Sequence, residues 1–213
     1  MSTRRHLLSL ALAASVAAAG AAAAAAAATP AASPAKSGKL APQVGDMSLG
    51  SPKAKIQVVE YASLSCPHCA RFNSDVFPAF KAKYVDTGEV RYTLREMLTP
   101  PAEVAAAGFM MARCAGPGKY FPVVDEVFRS QDKWEGDIKP VFLEIAKKNG
   151  MTDAQFESCL TSRANMDAVN QRVKAAIDLG VSSTPTFVVN GKQVATGEVT
   201  LAQLDAAIAA ASK

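Results

Sequence analysis

The chain has 213 residues, of which 49% are hydrophobic, and its formal net charge is +4. These totals suit one domain with a hydrophobic core and an insertion, and they exclude a disordered chain or a small disulfide-rich knot. Without residues 1–28, which contain Arg4 and Arg5, 21 basic residues face 19 acidic ones. This nearly neutral balance, without any basic run interleaved with aromatics, argues against a nucleic-acid partner.

Residues 1–28 have the composition of an export signal. A positively charged start precedes an uncharged run from Leu7 to Ala28, and small residues suited to cleavage lie near its end. Because the run is mostly alanine, we expect removal; retention as a membrane anchor is the alternative. The paired arginines loosely match a twin-arginine signal, which leaves the export route open. Residues 29–45, rich in Pro, Ala and Ser, are expected to form a flexible lead-in.

The next segment shows a strand-helix-strand pattern. KIQVVEY, residues 55–61, is rich in β-branched residues and predicts a buried strand. Apolar residues then recur at helical spacing as far as Gly88, and Pro67 suits the first helical turn, where its missing N–H costs nothing. VRYTLREM, residues 90–97, predicts a second strand, which should pair with the first in parallel.

Residues 99–180 are expected to form an all-helical insertion. They follow the breaker Thr99-Pro100-Pro101 and show helical periodicity without a convincing strand, near residues 102–114, 120–130, 138–149, 153–161 and 164–179. Strand patterns resume in TFVV and KQVA around an Asn190-Gly191 hairpin turn, and a helix over 200–212 closes the chain. The expected architecture is an α/β domain of residues 46–98 and 181–213, split by the helical insertion.

The stretch SLSCPHCARF, residues 63–72, separates Cys66 from Cys69 by Pro67 and His68. A zinc site needs about four ligands, and His68 is the only histidine outside the export signal. A purely structural disulfide would close too small a loop to restrict the unfolded chain much. Haem attachment would need a histidine directly after the second cysteine, where the chain has alanine. We therefore expect neither a metal nor another cofactor.

A redox function uses every residue of this motif. At the N-terminus of a helix, Cys66 would face unpaired N–H groups and the positive end of the helix dipole, which stabilise a thiolate. A protonated His68 would add a positive charge nearby. Cys66 is then the expected nucleophile and leaving group, and Cys69, a turn deeper, is the thiol that resolves mixed disulfides.

QVVEYASLSCPHCARF and STPTFVVNG together resemble the DsbA-like thiol:disulfide oxidoreductases of the thioredoxin superfamily, over residues 45–212. The resemblance implies a thioredoxin fold with an inserted all-helical domain, and it assigns the nucleophile to Cys66 and the resolving thiol to Cys69. It places the family's buried acid at Glu60. A carboxylate in an apolar strand should have a raised pKa and could take the proton of Cys69, whereas a solvent-facing carboxylate is the alternative.

The resemblance also implies roles for four residues after the first strands. Pro185, which follows Thr184, matches the superfamily's cis-proline, beside which the backbone of residue 184 pairs with an extended substrate. Without the resemblance, a proline at the start of a strand would be interpreted as a simple turn residue. Cys114 and Cys159 complete an even cysteine count in an exported chain, which favours pairing over two buried thiols. Some relatives carry a second, noncatalytic disulfide in the insertion, which implies a structural bridge here.

The expected function is the oxidation of paired cysteines in newly exported, reduced polypeptides of the periplasm. By resemblance, a quinone-linked membrane partner of the DsbB type would reoxidise the enzyme. An isomerase or reductase of the same superfamily is the first alternative, but the short lead-in has no room for a DsbC-type dimerisation domain, so we expect a monomer. A noncatalytic thioredoxin-fold binding module is the second alternative, and it would be expected to lack one of the two cysteines.

Overall fold

The computed structural model describes residues 43, 45–116 and 118–213. The predicted export signal lies outside the described residues, as do most of the predicted lead-in and Pro117. In the described part of the chain, no helix combines the length and the apolar character needed to cross a membrane.

Within this part, a mixed sheet of five strands forms the centre of the fold, in the order β1-β3-β2-β4-β5. The strands are Met47–Leu49 (β1), Ile56–Ala62 (β2), Val90–Glu96 (β3), Thr186–Val189 (β4) and Lys192–Thr196 (β5). β2 and β3 are parallel, as predicted, and the other neighbours are antiparallel. The sequence does not predict β1, because three residues are too few to show a strand periodicity.

After residue 99, each predicted helix is present, and its ends lie within one residue of the predicted ends. They are Ala102–Cys114 (α3), Tyr120–Arg129 (α4), Lys139–Lys148 (α5), Asp153–Thr161 (α6), Arg163–Asp178 (α7) and Leu201–Ala211 (α8). Thr152 and Thr200 begin α6 and α8 with capping boxes, in which a glutamine three residues later returns the hydrogen bond.

The helix expected between Cys66 and Gly88 is not uniform. Two short α-helices, Pro67–Arg71 (α1) and Phe77–Phe80 (α2), are each followed by a π-helical turn, over Phe72–Val76 and Lys81–Val85. The N–H of Phe77 donates to the carbonyl of Phe72, five residues back, directly before Pro78, which has no N–H for an α-helical bond.

The two faces of the sheet are covered differently. Val58, Ala62 and Leu94 point into the larger hydrophobic core, which includes the helices after Cys66, the insertion and α8. Val59 and Tyr61 point the other way and pack with Ala176 of α7. Because side chains alternate along a strand, Glu60 shares the face of Val58 and Ala62 and lies beneath the helix that carries the cysteines.

Candidate active site

Cys66 lies where β2 gives way to α1. It is the N-cap residue of α1, with extended backbone angles (φ −82°, ψ 119°), and Pro67 follows in the first turn as predicted. The side chain is 5% exposed, and its Sγ donates a hydrogen bond to the carbonyl oxygen of Thr184 at 3.4 Å. Cys69, one turn deeper, is fully buried. The two thiols therefore differ in access, and only Cys66 borders the surface.

The surroundings of Cys66 favour its thiolate. Its pKa is lowered from 9.0 to about 5, chiefly by a hydrogen bond from the Cys69 thiol, then by Thr184 and the backbone N–H groups of Cys69 and His68, while burial opposes the shift. The buried hydroxyl of Thr184 has no hydrogen-bond partner in the described chain. Once the thiol ionises, this hydroxyl can donate to the sulfur.

The cis peptide bond between Thr184 and Pro185 lies against this sulfur. Thr184 is buried, and the carbonyl oxygen of Pro185 accepts a hydrogen bond from the N–H of Gly197 at 2.8 Å. The loop before β4 is thus fixed on both sides of the cis bond. It brings Thr184 and Pro185 to the cysteine pair, 118 residues after Cys66 in the chain.

Glu60 is buried below the pair, with 2% of its surface exposed. Burial raises its pKa to about 8, with a further contribution from the charge of Cys66, and a hydrogen bond from Tyr92 opposes the shift. Burial also raises the pKa of Cys69, together with the neighbouring Cys66 and the charge of Glu60. Cys69 therefore keeps its proton at neutral pH unless a neighbouring group accepts it, and Glu60 titrates in the range where it can do so.

The imidazole of His68 lies at the protein surface rather than on the cysteine sulfur. Its Nδ1 is 3.0 Å from Oε1 of Glu198, and the same oxygen accepts a hydrogen bond from Nε of Arg71 at 2.7 Å. The backbone N–H of His68 contributes to the lowered pKa of Cys66, while its imidazole contacts Glu198. Glu198 precedes α8 and is anchored here by the active-site helix.

Two further contacts hold the loop between β2 and α1. The side-chain amide of Gln131, in the insertion, donates to the carbonyl oxygens of Leu64 at 2.8 Å and Cys66 at 3.3 Å. On the other side, Ser65 Oγ donates to the carbonyl oxygen of Thr99 at 2.7 Å. The position of Cys66 thus depends on the insertion and on the segment after β3, as well as on α1.

Cys114 and Cys159 form a disulfide that joins the end of α3 to α6, with their Cα atoms 6.2 Å apart. The bridge belongs to the insertion and takes no part in the cluster around Cys66. Among the residues that the structure describes, no three of the types His, Cys, Asp and Glu group together as metal ligands would.

Most of the chain is similar to proteins that are already known. A family model described as thioredoxin matches residues 43–210. A Rickettsia typhi protein named as a protein-disulfide oxidoreductase is 33% identical over 156 residues, which cover 70% of this chain and 56% of that protein. The crystal structure of alpha-DsbA1 from Wolbachia pipientis is 30% identical, with a TM-score of 0.74 over 80% of this chain and 92% of that one.

The chain belongs to the thioredoxin family and is DsbA-like. The predicted thioredoxin fold with an inserted helical domain is confirmed. Disulfide bond formation protein D of Bacillus subtilis is a more distant relative, 26% identical over 158 residues, which cover 70% of each chain. The chain spans little more than half the length of the Rickettsia relatives that it matches.

The sequence does not single out three residues of this DsbA-like site. Tyr92 carries a signal in retrospect: parallel pairing sets Val58 opposite Tyr92 and Glu60 opposite Leu94, which puts Tyr92 and Glu60 on one face of the sheet. Gln131 and Glu198 carry no comparable signal, because each reaches the cysteine helix from a distant element whose position follows only from tertiary packing.

Proposed function

We propose that this protein is an exported thiol:disulfide oxidoreductase that introduces disulfide bonds into reduced polypeptides through Cys66 and Cys69. The observation that carries the proposal is the difference between the two sulfurs. Cys66 has a pKa lowered to about 5 and borders the surface, whereas Cys69 is fully buried with a raised pKa. A stable thiolate at Cys66 favours the reduced state and makes the disulfide an oxidant.

The size of this effect follows from the Cys66 thiolate. At pH 7, a pKa of about 5 instead of 9.0 stabilises the dithiol by about 3 kcal/mol. For a two-electron couple this corresponds to a potential on the order of 60 mV more oxidising. The same property makes Cys66 a good leaving group when a substrate thiol completes the exchange.

The reaction begins with the Cys66-Cys69 disulfide. A substrate thiolate attacks Sγ of Cys66, the bond between the two enzyme sulfurs breaks, and Cys69 leaves and takes up a proton, for which Glu60 is the nearby donor. A second substrate thiolate then attacks the substrate sulfur of the mixed disulfide and expels the Cys66 thiolate. The substrate pair has lost two electrons, and the enzyme pair has gained them.

The loop at Thr184 and Pro185 suits an extended substrate. The backbone of residue 184 lies beside the reactive sulfur, so a substrate strand could pair with it through main-chain hydrogen bonds that are indifferent to sequence. After each turnover an oxidant must remove two electrons from the dithiol. A quinone-linked membrane partner of the DsbB type would supply it, and the predicted export signal would place the enzyme and its substrates in the periplasm, with the enzyme acting as a monomer.

The test is the redox equilibrium of the purified protein in glutathione buffers, combined with oxidation of a reduced model protein. We expect a midpoint more oxidising than the glutathione couple and a rate of disulfide formation that the Cys66→Ser variant lacks. The Cys114→Ala/Cys159→Ala variant serves as the control with an intact active site and should retain the oxidation. A strongly reducing midpoint would show that electrons flow the other way and would favour the reductase or isomerase alternative.

A further inference from the structure

The two oxygens of the buried Glu60 carboxyl have different surroundings. Oε2 accepts a hydrogen bond of 2.5 Å from the hydroxyl of Tyr92 on β3. Oε1 is buried and has no hydrogen-bond partner among the described residues. Because Oε2 already accepts the hydrogen bond from the tyrosine and Oε1 accepts none among the described residues, Oε1 is the favoured oxygen for a proton of the carboxyl itself.

We propose that Tyr92 is a positioning residue for proton transfer, whose hydroxyl holds Oε2 of Glu60 and so directs the proton exchanged with Cys69 to Oε1. The inference rests on the proposed function, in which Glu60 gives a proton to Cys69 when it leaves and takes it back when Cys69 attacks. In both directions the same oxygen is used. Without the tyrosine hydroxyl, neither oxygen would be held by a side-chain hydrogen bond that the structure describes, and the carboxyl would be free to rotate.

The same hydrogen bond sets the pH range of the transfer. A hydroxyl that donates to a carboxylate stabilises the ionised form, and Tyr92 accordingly lowers the pKa of Glu60 against the larger effect of burial. Burial and the charge of Glu60 raise the pKa of Tyr92 itself, so the tyrosine remains a donor throughout. Loss of the hydroxyl should therefore move the Glu60 titration further above neutrality.

Few other groups can account for the titration of this carboxyl. Cys66 and Cys69 face it from the cysteine helix, Tyr92 faces it from β3, and the residue opposite it on β4 is Phe187. Tyr120 of α4 acts electrostatically on Tyr92 rather than on the carboxyl, and its own hydroxyl is buried without a partner in the described chain. Tyr120 is therefore the natural control, because its hydroxyl can be removed without loss of a hydrogen bond.

The fold should tolerate the change at position 92. The Tyr92 ring packs against Phe77, with ring centroids 4.8 Å apart, and against Phe80 and Phe121 at 6.1 Å. Phenylalanine keeps these ring contacts and removes only the hydroxyl. A second variant, with 3-fluorotyrosine at position 92, keeps the hydroxyl and makes it more acidic, so it should strengthen the bond to Glu60.

The experiment measures the rate at which Cys69 resolves a Cys66-glutathione mixed disulfide as a function of pH. The carboxyl band of Glu60 in infrared difference spectra reports the titration directly, with Glu60→Gln to identify it. For Tyr92→Phe we expect both midpoints to rise by about one to two pH units, with resolution at pH 7 slower by roughly tenfold or more, since the variant loses a hydrogen bond to a charged group. The fluorotyrosine variant should shift both midpoints downward, and Tyr120→Phe should leave both unchanged.

Three results would overturn the inference. The first is an unchanged Glu60 titration in Tyr92→Phe, and the second is an equal shift in Tyr120→Phe. The third is a pH dependence of resolution that persists in Glu60→Gln, because Glu60 would then not be the titrating group. The redox midpoint measured on the same samples separates a failure of this inference from a failure of the proposed function. A reducing midpoint would contradict the function as an oxidase but would not change the expected shift in the Glu60 titration.

Discussion

The reactive sulfur and the buried carboxyl respond to pH in opposite directions. Cys66 has a pKa lowered from 9.0 to about 5, so its thiolate stabilises the folded reduced protein; this contribution is complete above pH 9.0 and is lost as the pH falls from there through 5. Glu60 has a raised pKa of about 8, so the folded protein keeps a proton that the unfolded chain releases above its ordinary pKa of 4.5. The Glu60 contribution to stability therefore falls as pH rises between these two values.

The Cys66 contribution can be isolated by substitution. In the reduced protein, the unfolding free energy of the wild type relative to Cys66→Ser should grow by about 2 kcal/mol from pH 5 to pH 7, because only the wild type forms the thiolate. Denaturant unfolding at both pH values measures the difference. Glu60 is present in both proteins, so its contribution cancels except for the part of its pKa shift that the charge of Cys66 causes. Equal pH slopes for the two proteins would show that Cys66 titrates as an ordinary thiol.

At the level of elements, the packing of α3 against the loop before Cys66 is unusually close. Gly108 faces this loop, and a Cβ atom at this position would lie 2.8 Å from Cδ1 of Leu64 and 3.3 Å from Cγ1 of Val127. Leu64 and Val127 are both fully buried, so neither can move without displacing other core atoms. The glycine allows the insertion to approach the active-site loop.

We predict that Gly108→Ala destabilises the protein by about 1 to 3 kcal/mol, although alanine is intrinsically the better helix residue by about 1 kcal/mol. Gly118→Ala is the matched control, since a Cβ there meets nothing within 4 Å. Denaturant unfolding of both variants measures the effect. If Gly108→Ala were as stable as the wild type, the contact between α3 and Leu64 would be looser than described.

For the whole molecule, the bridge between Cys114 and Cys159 matters for stability rather than for chemistry. It closes a separation of 45 residues, for which the chain-entropy estimate is about 4 kcal/mol. We predict that the unfolding free energy of the Cys114→Ala/Cys159→Ala variant, measured by denaturant unfolding, is lower by this amount. Alkylation of the native protein without reductant should label neither Cys114 nor Cys159. Labelling of Cys114 or Cys159 in the native protein would show that the bridge is not formed.

Local sequence patterns predict most of the fold because the apolar periodicity of most segments matches the strand or helix that they form. The strands TFVV and VRYTLREM and the helices of the insertion form where apolar spacing and turn residues place them. The exceptions have different causes. β1 is ordered by pairing with β3, and the π turn after α1 ends directly before Pro78, which has no N–H for an α-helical bond.

The candidate site also has residues that the sequence predicts and contacts that it does not predict. The motif identifies Cys66, Cys69 and Pro67, and the resemblance adds Glu60 and the loop at Pro185, all of which the fold brings together. The imidazole of His68 is directed away by Glu198, which reaches it across 130 residues of sequence. No local pattern encodes such a contact, and none encodes the hydrogen bond from Tyr92 to Glu60.

The side chain of Gln131 connects the insertion to the loop that carries Cys66. It belongs to the inserted helices, yet its amide binds the carbonyl oxygens of Leu64 and Cys66. A displacement of the insertion would therefore pull on the backbone of Cys66 directly, along a route that bypasses the sheet.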